Sequence, residues 1–84
     1  MKTYTYNITI HTEDNALTYS TNDVVDAIHT MVSMLVSDDT APIEMVDGWT
    51  GELLMYRSAY GEYYATDEMG LMVMGFILAL LLGL

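Results

Sequence analysis

Large apolar and polar residues alternate at the start of the chain. Tyr4, Tyr6, Ile8 and Ile10 occupy every second position, and threonine or asparagine fills the places between them. A period of two, built from aromatic and β-branched residues, is typical of a strand with one buried face. The pattern therefore predicts a strand over residues 3–11.

The next apolar pattern repeats every three to four residues, which is the spacing of an amphipathic helix. Ser20 to Asn22 offer N-cap side chains, and Asp23 and Asp26 follow where carboxylates complement the positive end of a helix dipole. We therefore expect a helix over residues 22–37. Its apolar stripe consists of Val24, Ile28, Met31 and Leu35, widened by Val25 and Val32.

Residues 43–57 have the pattern of two short strands joined by a turn. Asp47-Gly48 and the nearby Gly51 favour a β-hairpin, with a bulge or a longer loop because five residues separate the strands. Trp49 lies at the tip of this loop and cannot be buried within the hairpin itself. We expect its side chain either to fold back on the sheet or to contact a partner.

The C-terminal stretch from Met69 to Leu84 contains no polar side chain, and Thr66 to Glu68 supply a helix start before it. The stretch predicts an apolar helix over residues 67–83. Together the elements predict one α+β domain spanning residues 1–84. It would have a small three-stranded antiparallel sheet and two helices, in the order β-α-β-β-α.

A helix that is apolar on all sides has to be covered on all sides. We expect one face to pack on the sheet and the opposite face to pack on a second copy of the chain, giving a homodimer. The small side chains of Gly75 and Ala79 would allow the two helices to approach closely. The residues predicted to make this contact are Met72, Gly75, Phe76, Ala79 and Leu82.

A membrane anchor is the alternative for the same helix. Gly75, Ala79 and Gly83 recur every four residues, a spacing found where membrane helices pack together. Sixteen helical residues span only about 24 Å, however, and the hydrocarbon core of a bilayer is about 30 Å thick. Asp67-Glu68 also adjoin the segment, where a basic residue would be expected to set its orientation.

The charge of the chain is strongly one-sided. Twelve carboxylates face only Lys2 and Arg57, which gives a net charge of -10 and a pI near 4.1. Direct binding to nucleic acid is disfavoured, because affinity for phosphates comes mainly from lysine and arginine. The chain also has 84 residues and no cysteine, so disulfides cannot stabilise it and self-association becomes the expected way to bury more surface.

No arrangement of residues predicts catalysis, a metal site or a cofactor. His11 and His29 are the only histidines, and neither has the spacing of a metal motif or of a nucleophile–base pair. The first residues show no apolar signal segment, which favours a cytoplasmic location. We therefore expect a binding protein and not an enzyme.

The acidic residues around the first helix and the hairpin are the candidate contacts with a basic protein, and Trp49 is a candidate aromatic anchor. The candidate partner-binding residues are Asp23, Asp26, Asp38, Asp39, Glu44, Asp47, Trp49 and Glu52.

In size, acidity and order of elements the chain resembles small inhibitor proteins of phages and mobile elements, such as anti-CRISPR proteins and other nucleic-acid mimics. The resemblance implies a non-enzymatic inhibitor that blocks a basic partner, such as a nucleic-acid-guided nuclease, in the cytoplasm of a host cell. It assigns no role to individual residues, because it rests on no motif. The alternatives are a small membrane-anchored acidic protein and a structural or assembly subunit.

Overall fold

A computed structural model describes residues 5–38, 40–66 and 68–83 of the chain. It contains five strands and two helices within these ranges. In chain order they are β1 (Tyr6–His11), β2 (Ala16–Thr21), α1 (Val24–Ser37), β3 (Ile43–Asp47), β4 (Leu53–Arg57), β5 (Tyr63–Ala65) and α2 (Glu68–Leu81).

The strands form one antiparallel sheet in the spatial order β2-β1-β3-β4-β5. The predicted α+β class is confirmed, but the predicted three-stranded sheet with the order β-α-β-β-α is wrong. The order is β-β-α-β-β-β-α, because β2 and β5 also pair into the sheet as its two edge strands. Leu17 and Tyr19 of β2 alternate with Thr18 and Ser20, but four of the six residues of β2 are exposed and β5 has only three residues, so neither strand has the buried apolar face that marks β1.

The start of α1 also differs from the prediction. Ser20 and Thr21 belong to β2, and the N-cap is Asp23, whose carboxylate accepts a hydrogen bond of 2.9 Å from the Val25 amide. Thr21 Oγ1 in turn accepts a bond of 3.1 Å from the Asp23 amide. The chain therefore passes from strand to helix through a short polar connection.

Both helices pack on the same face of the sheet, and the hydrophobic core lies between the two layers. The sheet contributes Ile8, Met45 and Met55, and each of these side chains is fully buried. From the helices, Met31 of α1 and Ile77 of α2 are buried against them.

Arg57 is a buried cation at the end of β4 and is only 3% exposed. Its guanidinium donates to three backbone carbonyls where α1 leads into β3: Leu35 at 3.4 Å, Asp38 at 2.5 Å and Ala41 at 2.5 Å. The Arg57 side chain thus holds the α1–β3 connection against the sheet.

Candidate functional site

The sheet has two ends and one uncovered face, and these three surfaces carry the acidic residues. At the first end, here called the Trp49 end, β1 and β4 begin and β2 and β3 finish. At the opposite end, here called the His11 end, β1 and β4 finish and β2 and β3 begin. Six extended residues separate the two ends by about 20 Å. The face of the sheet away from the helices is the open face, and the described part of the chain places no element on it.

A chain of hydrogen bonds ties together the loops at the Trp49 end. The Thr5 amide donates to Asn22 Oδ1 at 2.9 Å, which joins the start of β1 to the start of α1. The Trp49 Nε1–H donates to Thr5 Oγ1 at 3.4 Å, and the Gly48 amide donates to the Thr5 carbonyl at 3.0 Å. The Trp49 ring is therefore fixed at one edge while 69% of the residue remains exposed.

The loop that carries Trp49 is shaped by Asp47. Its Oδ1 accepts from the backbone amides of Trp49 at 2.7 Å and Thr50 at 3.2 Å, which folds the loop back on itself. Gly51 completes the turn with a φ of +77°, a conformation that side-chain-bearing residues rarely adopt. Asp47 and Glu52 thus flank an exposed tryptophan on a loop with internal hydrogen bonds.

The structure distributes the predicted partner-binding residues over several surfaces. Asp23, Asp47, Trp49 and Glu52 come together at the Trp49 end. The others do not share one patch with them: Asp26 lies in the first turn of α1, Asp38 at the His11 end and Glu44 on the open face, and Asp39 lies outside the described residues.

Asp38 has a structural role at the His11 end, where it caps α1. Its Oδ1 accepts from the Thr40 amide and hydroxyl, both at 2.9 Å, and from the Ala41 amide at 3.0 Å. These bonds, led by the one from the Thr40 amide, hold the pKa of the Asp38 carboxyl below its ordinary value of 3.8. Asp38 therefore stays negatively charged at neutral pH while it orders the connection that Arg57 also binds.

Asp26 is bonded to the edge strand β2. The Tyr19 hydroxyl donates to Asp26 Oδ2 at 2.7 Å, and this bond is the largest cause that lowers the pKa of Asp26 from 3.8. The same bond raises the pKa of Tyr19 from 10.0. The pair joins β2 to α1 across the helix-covered side of the sheet.

The open face carries a polar and aromatic row that sequence reasoning missed. Strand pairing aligns Thr9, Glu44, Tyr56 and Tyr64 across four strands. The rings of Tyr56 and Tyr64 are stacked with centroids 6.1 Å apart. The signal was weak in the sequence, because the two tyrosines are eight positions apart and meet only through the β4–β5 pairing.

Two carboxylates on or beside this row already have partners. Glu44 Oε1 lies 2.8 Å from His11 Nε2, an ion pair whenever the imidazole is protonated. The Tyr64 hydroxyl donates to Glu62 Oε2 at 3.0 Å, and this bond is the main reason that the pKa of Tyr64 is raised above 10.0.

The surface of the described residues is anionic without compensation from lysine or arginine. Ten of the twelve carboxylates lie in the described ranges and none of them is buried. Arg57 is the only lysine or arginine in these ranges, and its charge is inside the protein. A cationic partner would therefore meet carboxylates without an exposed competing Lys or Arg from this part of the chain.

The predicted self-association residues lie on the side of α2 that faces away from the sheet. Gly70, Val73 and Ile77 are the buried positions of this helix. Met72 and Phe76 are not among these buried positions, and Phe76 is 58% exposed. The complete predicted set, Met72, Gly75, Phe76, Ala79 and Leu82, is exposed or half-buried.

A groove of about 370 Å³ runs between α1 and α2. Val25 and Ile28 line it from α1, and Met72 and Leu80 line it from α2. His29 supplies the only polar side chain among its lining residues, all of which are described. The groove was not predicted, although the wide apolar stripe of α1, which includes Val25, was an indication that this helix contacts more than the sheet.

Within the described ranges, no group of three or more His, Asp or Glu side chains is placed to hold a metal ion. Neither described helix combines the length and the apolar character needed to cross a bilayer.

Comparison with known proteins places the chain in no family. No family model matches the sequence, no curated protein matches it significantly, and no solved structure matches the fold significantly.

Proposed function

We propose that this chain is a non-enzymatic inhibitor that binds a basic, nucleic-acid-binding protein in the cytoplasm of a host cell. It would occupy the partner's surface that normally binds the phosphates of the nucleic acid. One observation carries the proposal: the described surface bears ten carboxylates and no exposed lysine or arginine. A groove lined with lysine and arginine attracts such a surface over long range, and the association weakens as salt screens it.

The Trp49 end is the best candidate for the contact surface. It joins three carboxylates, those of Asp23, Asp47 and Glu52, to an aromatic side chain that is exposed yet held by Thr5. Tryptophan is enriched among the residues that dominate binding energy in protein interfaces. The hydrogen-bonded loop also reduces the conformational entropy lost on binding, because its backbone is already ordered.

The proposal can be tested on a purified RNA-guided DNA nuclease, as a partner with a basic groove. Cleavage of target DNA would be measured with and without the chain at 50 and 300 mM NaCl. We expect inhibition at low salt that weakens at least about tenfold at the higher salt, because several charge pairs are screened together. Inhibition of equal strength at both salt concentrations would contradict an electrostatic contact.

Amide substitutions locate the surface without disturbing the fold. The triple variant Asp23→Asn, Asp47→Asn, Glu52→Gln keeps the acceptor oxygens that cap α1 and close the loop, and it removes three charges. We expect it to lose most of the inhibition. The matched control is Glu13→Gln, Asp14→Asn, Glu62→Gln, which removes three charges from the His11 end and should still inhibit. An equal loss in both triple variants would show that only net charge matters and not the Trp49 end.

A further inference from the structure

The exposed side of α2 and the adjoining groove form a continuous apolar surface. Six large apolar side chains on this surface are between 43% and 77% exposed: Leu71, Met72, Phe76 and Leu80 of α2, Leu82 just after its end, and Val25 of α1. Apolar patches of this extent on a monomer mark an interaction site more often than they mark free surface. No charged residue occurs between Met69 and Gly83.

We infer that the occupant of this surface is a second copy of the chain, bound about a two-fold axis. Met72, Gly75, Ala79 and Leu82 are spaced by three, four and three residues, which is the repeat of a seam between two packed helices. They lie opposite the buried positions Gly70, Val73 and Ile77, so the seam faces outward. A Cβ atom added at Gly75 meets no atom within 4 Å, which leaves room there for a close helix crossing.

The buried area supports a dimer of this kind. At roughly 100 Å² for each half-exposed large side chain, six side chains on each copy give up to about 1,200 Å² in total if all are covered, which reaches the lower limit for a stable specific interface. The groove adds to this area. Phe76 lines this groove and is 58% exposed, so in a two-fold dimer the groove and the Phe76 ring of each copy face those of the other.

Electrostatics favour a second copy at this face over other occupants. Two chains of charge -10 repel each other, and α2 beyond Glu68 carries no carboxylate, so two copies can meet there without opposing negative charges at the contact. The acidic surface of the protein likewise opposes docking on an anionic lipid bilayer. The dimer is independent of the proposed inhibition, because the Trp49 end is built from different elements.

Sedimentation equilibrium of the complete chain at micromolar concentration tests the inference. We expect twice the chain mass of 9.4 kDa for the unaltered protein. Gly75→Glu places like charges across the axis while its side chain has open space in the monomer, so this variant should sediment as a monomer with an unchanged circular dichroism spectrum. Tyr60→Glu adds the same charge at a residue that is 91% exposed in the β4–β5 turn, and should remain a dimer.

Cross-linking gives a second measurement that does not depend on destabilising the dimer. The chain has no cysteine, so a single Gly75→Cys or Ala79→Cys substitution can pair only with its own copy. A disulfide needs the two Cβ atoms about 3.5–4.5 Å apart, so we expect at least one of these variants to form a covalent dimer rapidly on mild oxidation. Tyr60→Cys should form it much more slowly at the same concentration.

Three results would overturn the inference. They are a monomeric unaltered chain, a Gly75→Glu variant that stays dimeric, and cross-linking at position 60 as fast as at positions 75 and 79. A monomer that instead binds phosphatidylcholine vesicles would assign the apolar surface to lipid.

Discussion

At the scale of single residues, Gly70 sets how closely α2 can lie on the sheet. A Cβ atom at this position would be 2.0 Å from the carbonyl oxygen of Leu54, a backbone atom that cannot move aside as a side chain can. Gly75, five residues further along the same helix, has no atom within 4 Å of an added Cβ. Two glycines in one apolar helix therefore have different roles, one within the core and one on the outer surface.

We expect Gly70→Ala to lower the free energy of unfolding by about 1–3 kcal/mol, as overpacking of a core does. Gly75→Ala adds one methyl group where the chain has open space, and alanine already occupies the neighbouring seam position 79, so it should leave this free energy unchanged or raise it by about 0.5–1 kcal/mol, because alanine is the better helix former. Urea unfolding of both variants at one chain concentration, followed by circular dichroism, measures the difference. Equal stability of the two variants would show that α2 can move away from β4 at little cost.

At the scale of elements, the hydrogen bond from Tyr19 to Asp26 joins the edge strand β2 to α1, and Thr21 of the same strand also bonds to Asp26. Because the Tyr19 hydroxyl donates to Asp26, the folded protein holds the Asp26 carboxyl proton less tightly than the unfolded chain does. The stabilisation is therefore present above the ordinary Asp26 pKa of 3.8 and is lost as pH falls through the lower value of the folded state. The raised pKa of Tyr19 sets the upper end of the pH range in which the bond stabilises the fold. The stabilisation is present below pH 10.0 and is lost as pH rises through the Tyr19 pKa of the folded state.

We expect Tyr19→Phe to raise the pKa of Asp26 towards 3.8. The variant should also have a lower free energy of unfolding than the unaltered chain, and this difference should be largest at neutral pH and shrink below pH 3.8. Carbon-detected NMR titration of the Asp26 carboxyl measures the first effect, and urea unfolding between pH 2.5 and 7 measures the second. Tyr64→Phe is the matched control, since it removes a hydroxyl bonded to Glu62 on the opposite face and should leave the Asp26 pKa unchanged.

At the scale of the whole molecule, the uncompensated negative surface opposes folding through self-repulsion. We expect the melting temperature to rise when NaCl is increased from 10 to 500 mM, because salt screens the carboxylates. Each 1 kcal/mol of relieved repulsion corresponds to about 4–8 °C for a domain of this size. Differential scanning calorimetry at a fixed chain concentration provides the measurement.

The variant Glu13→Gln, Asp14→Asn, Glu62→Gln serves as the control for this salt effect. It should melt at a higher temperature in low salt and show a smaller rise with NaCl, because it carries three fewer charges. A melting temperature that does not depend on salt in either protein would mean that the carboxylates are too far apart to repel significantly.

Local periodicity was sufficient to predict the elements that bury a regular face. The alternation through Tyr6, Ile8 and Ile10 marked β1, and the stripe from Ile28 to Leu35 marked α1. The edge strands β2 and β5 could not be predicted in this way. Their place in the sheet depends on backbone hydrogen bonds to other strands. The short alternation of Leu17 and Tyr19 with polar residues in β2 does not mark a buried face, because both side chains are exposed.

Part of the candidate site was also accessible from the sequence. The acidic character and the exposure of Trp49 follow from composition and from its place at a loop tip. The grouping of Asp23 with Asp47 does not follow, because it depends on the contact of Thr5 with both Asn22 and Gly48. The sequence also does not show that Asp38 lies far from Asp23 and Asp47, because that distance depends on the length of the strands between the two ends of the sheet.

The sequence by itself determined the charge of the protein, its two helices and the apolar nature of α2, because these depend on composition and on neighbours within one turn or strand. Only the tertiary structure decided the number of strands, which carboxylates share a surface and which side of α2 faces outward. A uniformly apolar helix contains no information about its own orientation. That orientation is set by the close contact of Gly70 with Leu54, which turns Met72, Gly75 and Ala79 away from the sheet.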